Sequence, residues 1–221
     1  MYFLIIKFDD NSFYHKIYIH NTNMYLRSFS PKRGRFIWFD IETTGFNQFH
    51  NDIIEIAAVD NLGNTFNQLI NIGDKKLPKK IKEITNISDE MLKDKPSIET
   101  VLHDFNDYLN IESTKIRYLI GHNSYNFDIP FVKCKFTQHN IKFPSKIREM
   151  DTLKMAQLLM PQEWSHSLAN LCKLFGIDNN NAHRALSDVY ATKILYQQLC
   201  IIYKSKYKKI SPITIINKTS F

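Results

Sequence analysis

An antiparallel meander, then helices alternating with strands, then helices alone: residues 36–203 read in that order, and few folds accept it. Phe36–Ile41 is a short apolar strand. Asp52–Asp60 and Thr65–Ile72 are two more, joined by the hairpin turn Asn61-Leu62-Gly63-Asn64. A basic stretch, Lys75–Lys82, leads into helical material. Pro96-Ser97 opens a helix to about Leu109, with Ile98, Val101, Leu102, Phe105 and Leu109 on one face. Arg117–Ile120 is a fourth strand, followed by the loop Gly121–Asn126 and a helix carrying Ile129, Val132 and Phe136. Helices over Leu153–Leu159, Ser167–Phe175 (stopped by Gly176) and Ala182–Cys200 complete the order. The pattern predicts an α/β fold with a mixed, roughly five-stranded sheet, Phe36–Ile41 central and helices on both faces.

Two appendages flank this unit. Tyr2–Phe8 and Phe13–His20 read as a hairpin across Asp9-Asp10-Asn11-Ser12, and Pro31–Arg35 as a basic linker. So short an extension, residues 1–35, cannot hold a core and is expected to pair with or pack on the main unit. Residues 204–221 read as a basic tail. At 43% hydrophobic residues with few Gly and Pro, 221 residues suit one sizeable domain and exclude a disordered chain. The net charge of +7 favours an anionic partner, nucleic acid or an acidic surface. Cys134, Cys172 and Cys200 form no CxxC pattern, which argues against a disulfide framework or zinc site and for a reducing, intracellular setting in cytoplasm or nucleus. No apolar run approaches the ~20 residues of a membrane span. The start lacks a secretory pattern, so no membrane partner is expected. Abundant Ile, Asn, Lys, Phe and Tyr suggest an AT-rich coding genome.

The chemistry-bearing residues fall in three segments. In Phe39-Asp40-Ile41-Glu42-Thr43-Thr44-Gly45, alternation puts Asp40 and Glu42 on one face of the strand and Phe39 and Ile41 on the other. Two carboxylates so placed repel each other unless a cation sits between them, though a solvated strand end carries acids equally well. Thr43-Thr44-Gly45 then turns the chain and presents backbone amides. Asp128 precedes Pro130 and so belongs to a helix's first turn, a position where Asp is common, yet Phe127 draws that end inward. Asp188 lies beside the apolar helix face of Ala185, Val189, Tyr196 and Leu199. His183, five residues earlier, is about 140° around a helix from it. If both serve one site, His183 must come from the loop or first turn.

These three segments, in order and spacing, resemble the three motifs of the DEDD-type 3′→5′ exonucleases, in the subfamily that uses His. Asp40 and Glu42 match the first motif, Asp128 the second, and His183 with Asp188 the third. Between them, Asn51–Val59 (NDIIEIAAV), Ile84–Pro96 (ITNISDEMLKDKP), Met150–Leu159 (MDTLKMAQLL) and Ser165–Phe175 (SHSLANLCKLF) resemble the bacterial proofreading subunit. The loop from His122 to Asp128, followed by Pro130, looks closer to the TREX-type exonucleases. Asn86 stands where the family often has Gly.

The resemblance implies an RNase H-like fold in which Asp40, Glu42, Asp128 and Asp188 hold two divalent metal ions and His183 takes a proton from water. Hard oxygen ligands favour Mg²⁺ or Mn²⁺. It further implies that Thr43, Thr44 and Phe46 contact the terminal nucleotide, with His122, Asn123 and Phe127 lining the same pocket. Substrates would be nucleic-acid 3′ ends, DNA in preference to RNA and single-stranded or frayed, giving nucleoside 5′-monophosphates. A polymerase is a candidate partner, and the oligomeric state stays open. RNA 3′-end trimming, or a catalytically weak binding module on the same fold, are the competing readings. Arg33, Arg35, Lys75–Lys82, Lys133, Lys135 and Lys204–Lys209 are candidates to guide the phosphate backbone.

Overall fold

The computed structural model describes residues 2–5, 16–19, 34–111 and 116–207. Strands β1 (Tyr2–Ile5) and β2 (Lys16–Ile19) pair antiparallel in a two-stranded sheet of their own, separate from the main sheet. The expected turn at Asp9–Ser12 lies outside the described residues, as do Arg33, Lys208 and Lys209. The main unit runs β3 (Gly34–Thr43), β4 (Ile53–Asp60), β5 (Thr65–Leu69), α1 (Lys79–Thr85), α2 (Asp89–Lys93) and α3 (Ile98–Asn110). It continues with β6 (Ile116–Gly121), α4 (Asp128–Gln138), β7 (Ile147–Asp151), α5 (Thr152–Leu159), α6 (Leu168–Phe175) and α7 (Ala185–Tyr207).

The five strands lie in the order β5-β4-β3-β6-β7. β4 runs antiparallel to β3 and β5, whereas β6 is parallel to β3 and β7 parallel to β6. The expected mixed sheet with its first strand central is therefore observed. Alternation along β3 divides the core. Ile37, Phe39 and Ile41 pack with Val101, Leu102, Phe105 and Leu109 of α3 and Ile129, Val132 and Phe136 of α4. Phe36 and Trp38 pack with Tyr118, Ile120 and, from α7, Ala185, Val189 and Tyr196. Helices cover both faces, and by the same alternation Asp40 and Glu42 belong to the α7 face.

Four sequence expectations need correction. Arg35 is not linker but the second residue of β3, buried and paired with Asp60 at 2.7 Å, its guanidinium also reaching the Tyr108 carbonyl. A guanidinium this buried, held by a carboxylate and a helix-end carbonyl, is out of reach of a phosphate backbone. The fifth strand, β7, reads Ile-Arg-Glu-Met-Asp, and only its last two residues are buried, so neither alternation nor apolar run marks it. The last helix begins at Ala185, three residues later than expected, and continues to Tyr207, into the supposed tail. Lys135 is buried on α4, its ammonium on the Gln138 side-chain oxygen and 5.7 Å from the Phe131 ring.

Other lysines in the candidate phosphate-guiding stretches also have partners. Lys75 pairs with Asp52, Lys82 with Asp89, Lys133 with Glu149, and Lys206 bonds the Leu159 carbonyl. Asn86 caps α1 in the left-handed region (φ 55), a conformation that Asn tolerates better than other non-glycine residues. That accounts for its standing where the family often has Gly.

Candidate active site

The site forms where β3 and β6 part. Their ladder ends at Trp38–Ile120, and Gly121 then lets the chain turn sharply. A Cβ there would lie 2.5 Å from the Ser124 Cβ. The turn carries residues 122–127 across the ends of the parallel strands and starts α4 at Asp128. Asp128 is buried, and its carboxylate accepts the Ile41 amide at 3.2 Å, a donor that β6 no longer reaches. That bond ties the second acidic segment to the first, between Asp40 and Glu42.

Asp188 lies in the first turn of α7 and is also buried. Its carboxylate accepts the Asn179 side-chain amide at 2.6 Å and the His183 backbone amide at 3.0 Å. His183 stands just ahead of the helix, exposed, with left-handed backbone (φ 64). This is the loop placement that joint service with Asp188 requires. Carboxylate oxygens of Glu42 and Asp188 and a ring nitrogen of His183 lie within 4.8 Å of one another.

Electrostatics bind the four acids into one cluster. Burial, then the charges of Asp128, Glu42 and Asp188, pushes Asp40 well above the ordinary carboxylate range. Burial and neighbouring acids raise Glu42 to about 8, with Arg184 partly opposing. Burial lifts Asp128 to about 7 against the hydrogen bond from Ile41. Asp188 is raised by burial too, while Asn179 and His183 pull it down. Carboxylates that resist ionisation in the folded chain are the setting a divalent cation relieves, and oxygen donors suit hard ions. The residues present therefore fit the metal group that the resemblance implies.

A fifth carboxylate supports this arrangement and escaped the sequence reading. Glu55 is fully buried on β4 directly opposite Glu42. It takes the Arg184 guanidinium in two bonds, 2.9 and 3.2 Å, and the Ala185 amide at 3.1 Å. Glu55 thus anchors the start of α7, where an anion is favoured, and holds the segment from which His183 and Asp188 project. An acid within the apolar run Ile53–Val59 was the available signal.

The expected substrate contacts fare unevenly. Phe46 is 88% exposed, and its ring meets Phe127 edge-on at 6.1 Å, so these two aromatics stand together beside the acids. The Thr44 amide donates to the Asp52 carbonyl and the Thr43 hydroxyl to the Gly45 carbonyl, so both groups are occupied within the turn. His122 bonds the Thr152 hydroxyl at 2.9 Å and the His166 carbonyl at 3.0 Å. The carbonyl requires Nε2–H as donor, and in the neutral ring Nδ1 accepts the Thr152 hydroxyl proton, which it shares with the Gly121 carbonyl at 3.2 Å. Burial lowers the His122 pKa, consistent with that neutral form. This histidine ties two loops together.

Asn123 has left-handed backbone (φ 61) and donates its amide to Asp151 at 2.9 Å. Asp151 also takes the Tyr125 and Leu153 amides, organising the whole 122–126 turn while capping α5. An acid immediately before an apolar helix was the sequence signal for it.

Residues 37–196 match the family model described as exonuclease, of the RNase T type. The chain belongs to this exonuclease family. Over 166 residues this exonuclease domain is 36% identical to the DNA polymerase III PolC-type of Mycoplasma genitalium, a match covering 73% of the chain and 11% of that polymerase. The Bacillus subtilis PolC-type polymerase is 33% identical over 164 residues, covering 72% and 11%. The chain thus spans about a tenth of these relatives. Among solved structures, E. coli Exonuclease I in complex with a dT13 oligonucleotide aligns with TM-score 0.68 and 19% identity, over 80% of this chain and 42% of that one. The zinc-bound form of the E. coli Exonuclease I–single-stranded DNA complex aligns with TM-score 0.64. The five-stranded sheet is that of the RNase H-like exonuclease fold.

Proposed function

We propose that this chain removes nucleotides one at a time from the 3′ ends of DNA, single-stranded or frayed, releasing nucleoside 5′-monophosphates. The observation that carries the reading is the convergence of Asp40, Glu42, Asp128 and Asp188 with His183 at the strand ends, each acid raised first by burial and then by a neighbouring carboxylate. All four acids are retained, which disfavours a silent binding module. Asp40, Glu42, Asp128 and Asp188 would hold two divalent ions, Mg²⁺ or Mn²⁺. When bound, such ions lower the pKa of water and stabilise charge on the leaving 3′-oxygen.

The chain's own groups do the rest. A ring nitrogen of His183 accepts a proton from the attacking water. Its exposed position before α7 suits a base that closes over bound substrate. Asp188 holds the His183 backbone, and Glu55 with Arg184 holds the start of α7. Phe46 and Phe127 present aromatic surface to the terminal base, where stacking needs no sequence readout.

The PolC-type relatives are polymerases, which supports a proofreading context with a polymerase as partner. The oligonucleotide-bound Exonuclease I structures support single-stranded DNA as substrate. Three free cysteines support a reducing, intracellular setting. Among the described residues no helix is long and apolar enough to cross a membrane. The test is digestion of matched single-stranded DNA, mismatched duplex and RNA of one sequence with Mg²⁺. Mononucleotide release from single-stranded DNA and the mismatched 3′ end, faster than from RNA, is expected. Faster digestion of RNA would overturn the DNA assignment in favour of RNA trimming.

A further inference from the structure

We propose that Trp164 is a stacking platform for a nucleobase of the single strand several nucleotides upstream of the 3′ end. This deepens the reading above and rests on it. The chain has two tryptophans. Trp38 is buried in the core, whereas Trp164 is 87% exposed in the segment joining α5 to α6. Its exposure does not come from a slack loop. The His166 ring bonds the Met160 carbonyl at 2.8 Å, the Asn170 side-chain amide bonds the Ser165 carbonyl at 2.9 Å, and the Glu163 amide bonds the Met160 carbonyl at 3.1 Å. Backbone on either side of Trp164 is fixed, so the ring is held out in water rather than left free to fold down. Indole carries the large apolar surface that stacking rewards.

The loop is also joined to the site. His122, immediately after the Gly121 turn, donates Nε2–H to the His166 carbonyl. That bond fixes the Trp164 loop against the turn leading to Phe127 and Asp128. Along the other direction, α6 separates this loop from Gly176, beyond which Asn179 grips Asp188. Eight residues of helix put about 12 Å between them. A strand whose last base rests on Phe46 and Phe127 would meet Trp164 with an earlier base. Glu163, the adjacent side chain, disfavours phosphate there, so the contact is to a base face and tolerates any sequence.

The test uses the full chain in EDTA, so that no substrate is consumed, and follows tryptophan fluorescence during titration with a 12-nucleotide oligo(dT). Quenching is expected in the wild type and in Trp38→Phe, and its loss in Trp164→Ala. With Mg²⁺ restored, Trp164→Ala should raise KM for the 12-mer by roughly 5- to 100-fold, the worth of one stacked base. Its kcat should hold, as should its activity on a dinucleotide too short to reach the loop, and Trp164→Phe should recover part of the loss. Unquenched fluorescence, or an unchanged KM for the 12-mer, overturns the platform. Quenching without hydrolysis overturns the catalytic reading and leaves the platform standing.

Discussion

Arg184→Ala should destabilise this protein far more than the loss of an ordinary surface ion pair. The Glu55 side chain is 1% exposed and that of Arg184 32%, and two short bonds join them. Removing the arginine leaves a buried carboxylate facing Glu42, with the Ala185 amide as its remaining donor among these contacts. Breaking one side of a buried pair costs ~3–5 kcal/mol. The lower end, ~3 kcal/mol, suits this site, because Arg184 is partly in water. For a chain of this size each kcal/mol moves the melting temperature by about 2–4 °C, so ~3 kcal/mol gives an expected drop of roughly 6–12 °C. Lys75→Ala is the internal control: its pair with Asp52 is 63% and 28% exposed, and such pairs are worth ~1 kcal/mol or less. The decisive variant is the double Arg184→Ala/Glu55→Gln, which removes the stranded charge while leaving an oxygen for Ala185. It should melt above Arg184→Ala alone. Thermal melts of wild type, Arg184→Ala, Glu55→Gln and the double variant at one pH supply the cycle. An Arg184→Ala melt within ~2 °C of wild type, or no recovery in the double variant, refutes the reasoning.

The raised acids make metal-free stability depend on pH. Because Glu42 and Asp128 titrate near 8 and 7 when folded and near ~4 when unfolded, the folded state holds protons that the unfolded state releases. That contribution is full below pH ~4 and is lost as pH rises through the folded values. Melts in EDTA should therefore fall from pH ~5 to 8, with Mg²⁺ or Mn²⁺ raising them most at the alkaline end; a metal effect independent of pH would contradict this. Asp40→Asn should abolish hydrolysis yet raise the metal-free melting temperature by relieving repulsion, and a marked fall would show that Asp40 is instead a structural partner. His183→Ala should lose ~10²–10⁴ in kcat with metal affinity, read by Mn²⁺ titration, little changed. Loss of metal instead of rate would make it a ligand.

How much the sequence conveyed depended on how local each signal was. The meander and the central strand were readable because Phe36–Ile41 and the Asn61–Asn64 turn carry their reasons within a few residues. The four acids and His183 stood out only through the combined pattern. Glu55 did not, since its place in an apolar run marks it as unusual but its partner Arg184 is 129 positions away. For Asp151 the helix cap was local, but its role in the turn was not: the two turn amides it takes lie 26 and 28 residues earlier. β7 was illegible because it is a short edge strand whose Arg148 is exposed and whose Glu149, on the other face, pairs with Lys133, so neither face reads as apolar. The basic stretches misled for a related reason. A run of Lys and Arg shows charge but not pairing, and Arg35 and Lys135 turned out buried with partners of their own.

The most direct test of the account places a 5′ label on single-stranded DNA and tracks the product ladder with Mg²⁺, with EDTA, and with Asp188→Ala. A ladder shortening one nucleotide at a time from the 3′ end is expected, with 5′-monophosphates as product and no ladder in EDTA or in Asp188→Ala. Release of the label first, internal cuts, or the same ladder without metal or without Asp188 would contradict it.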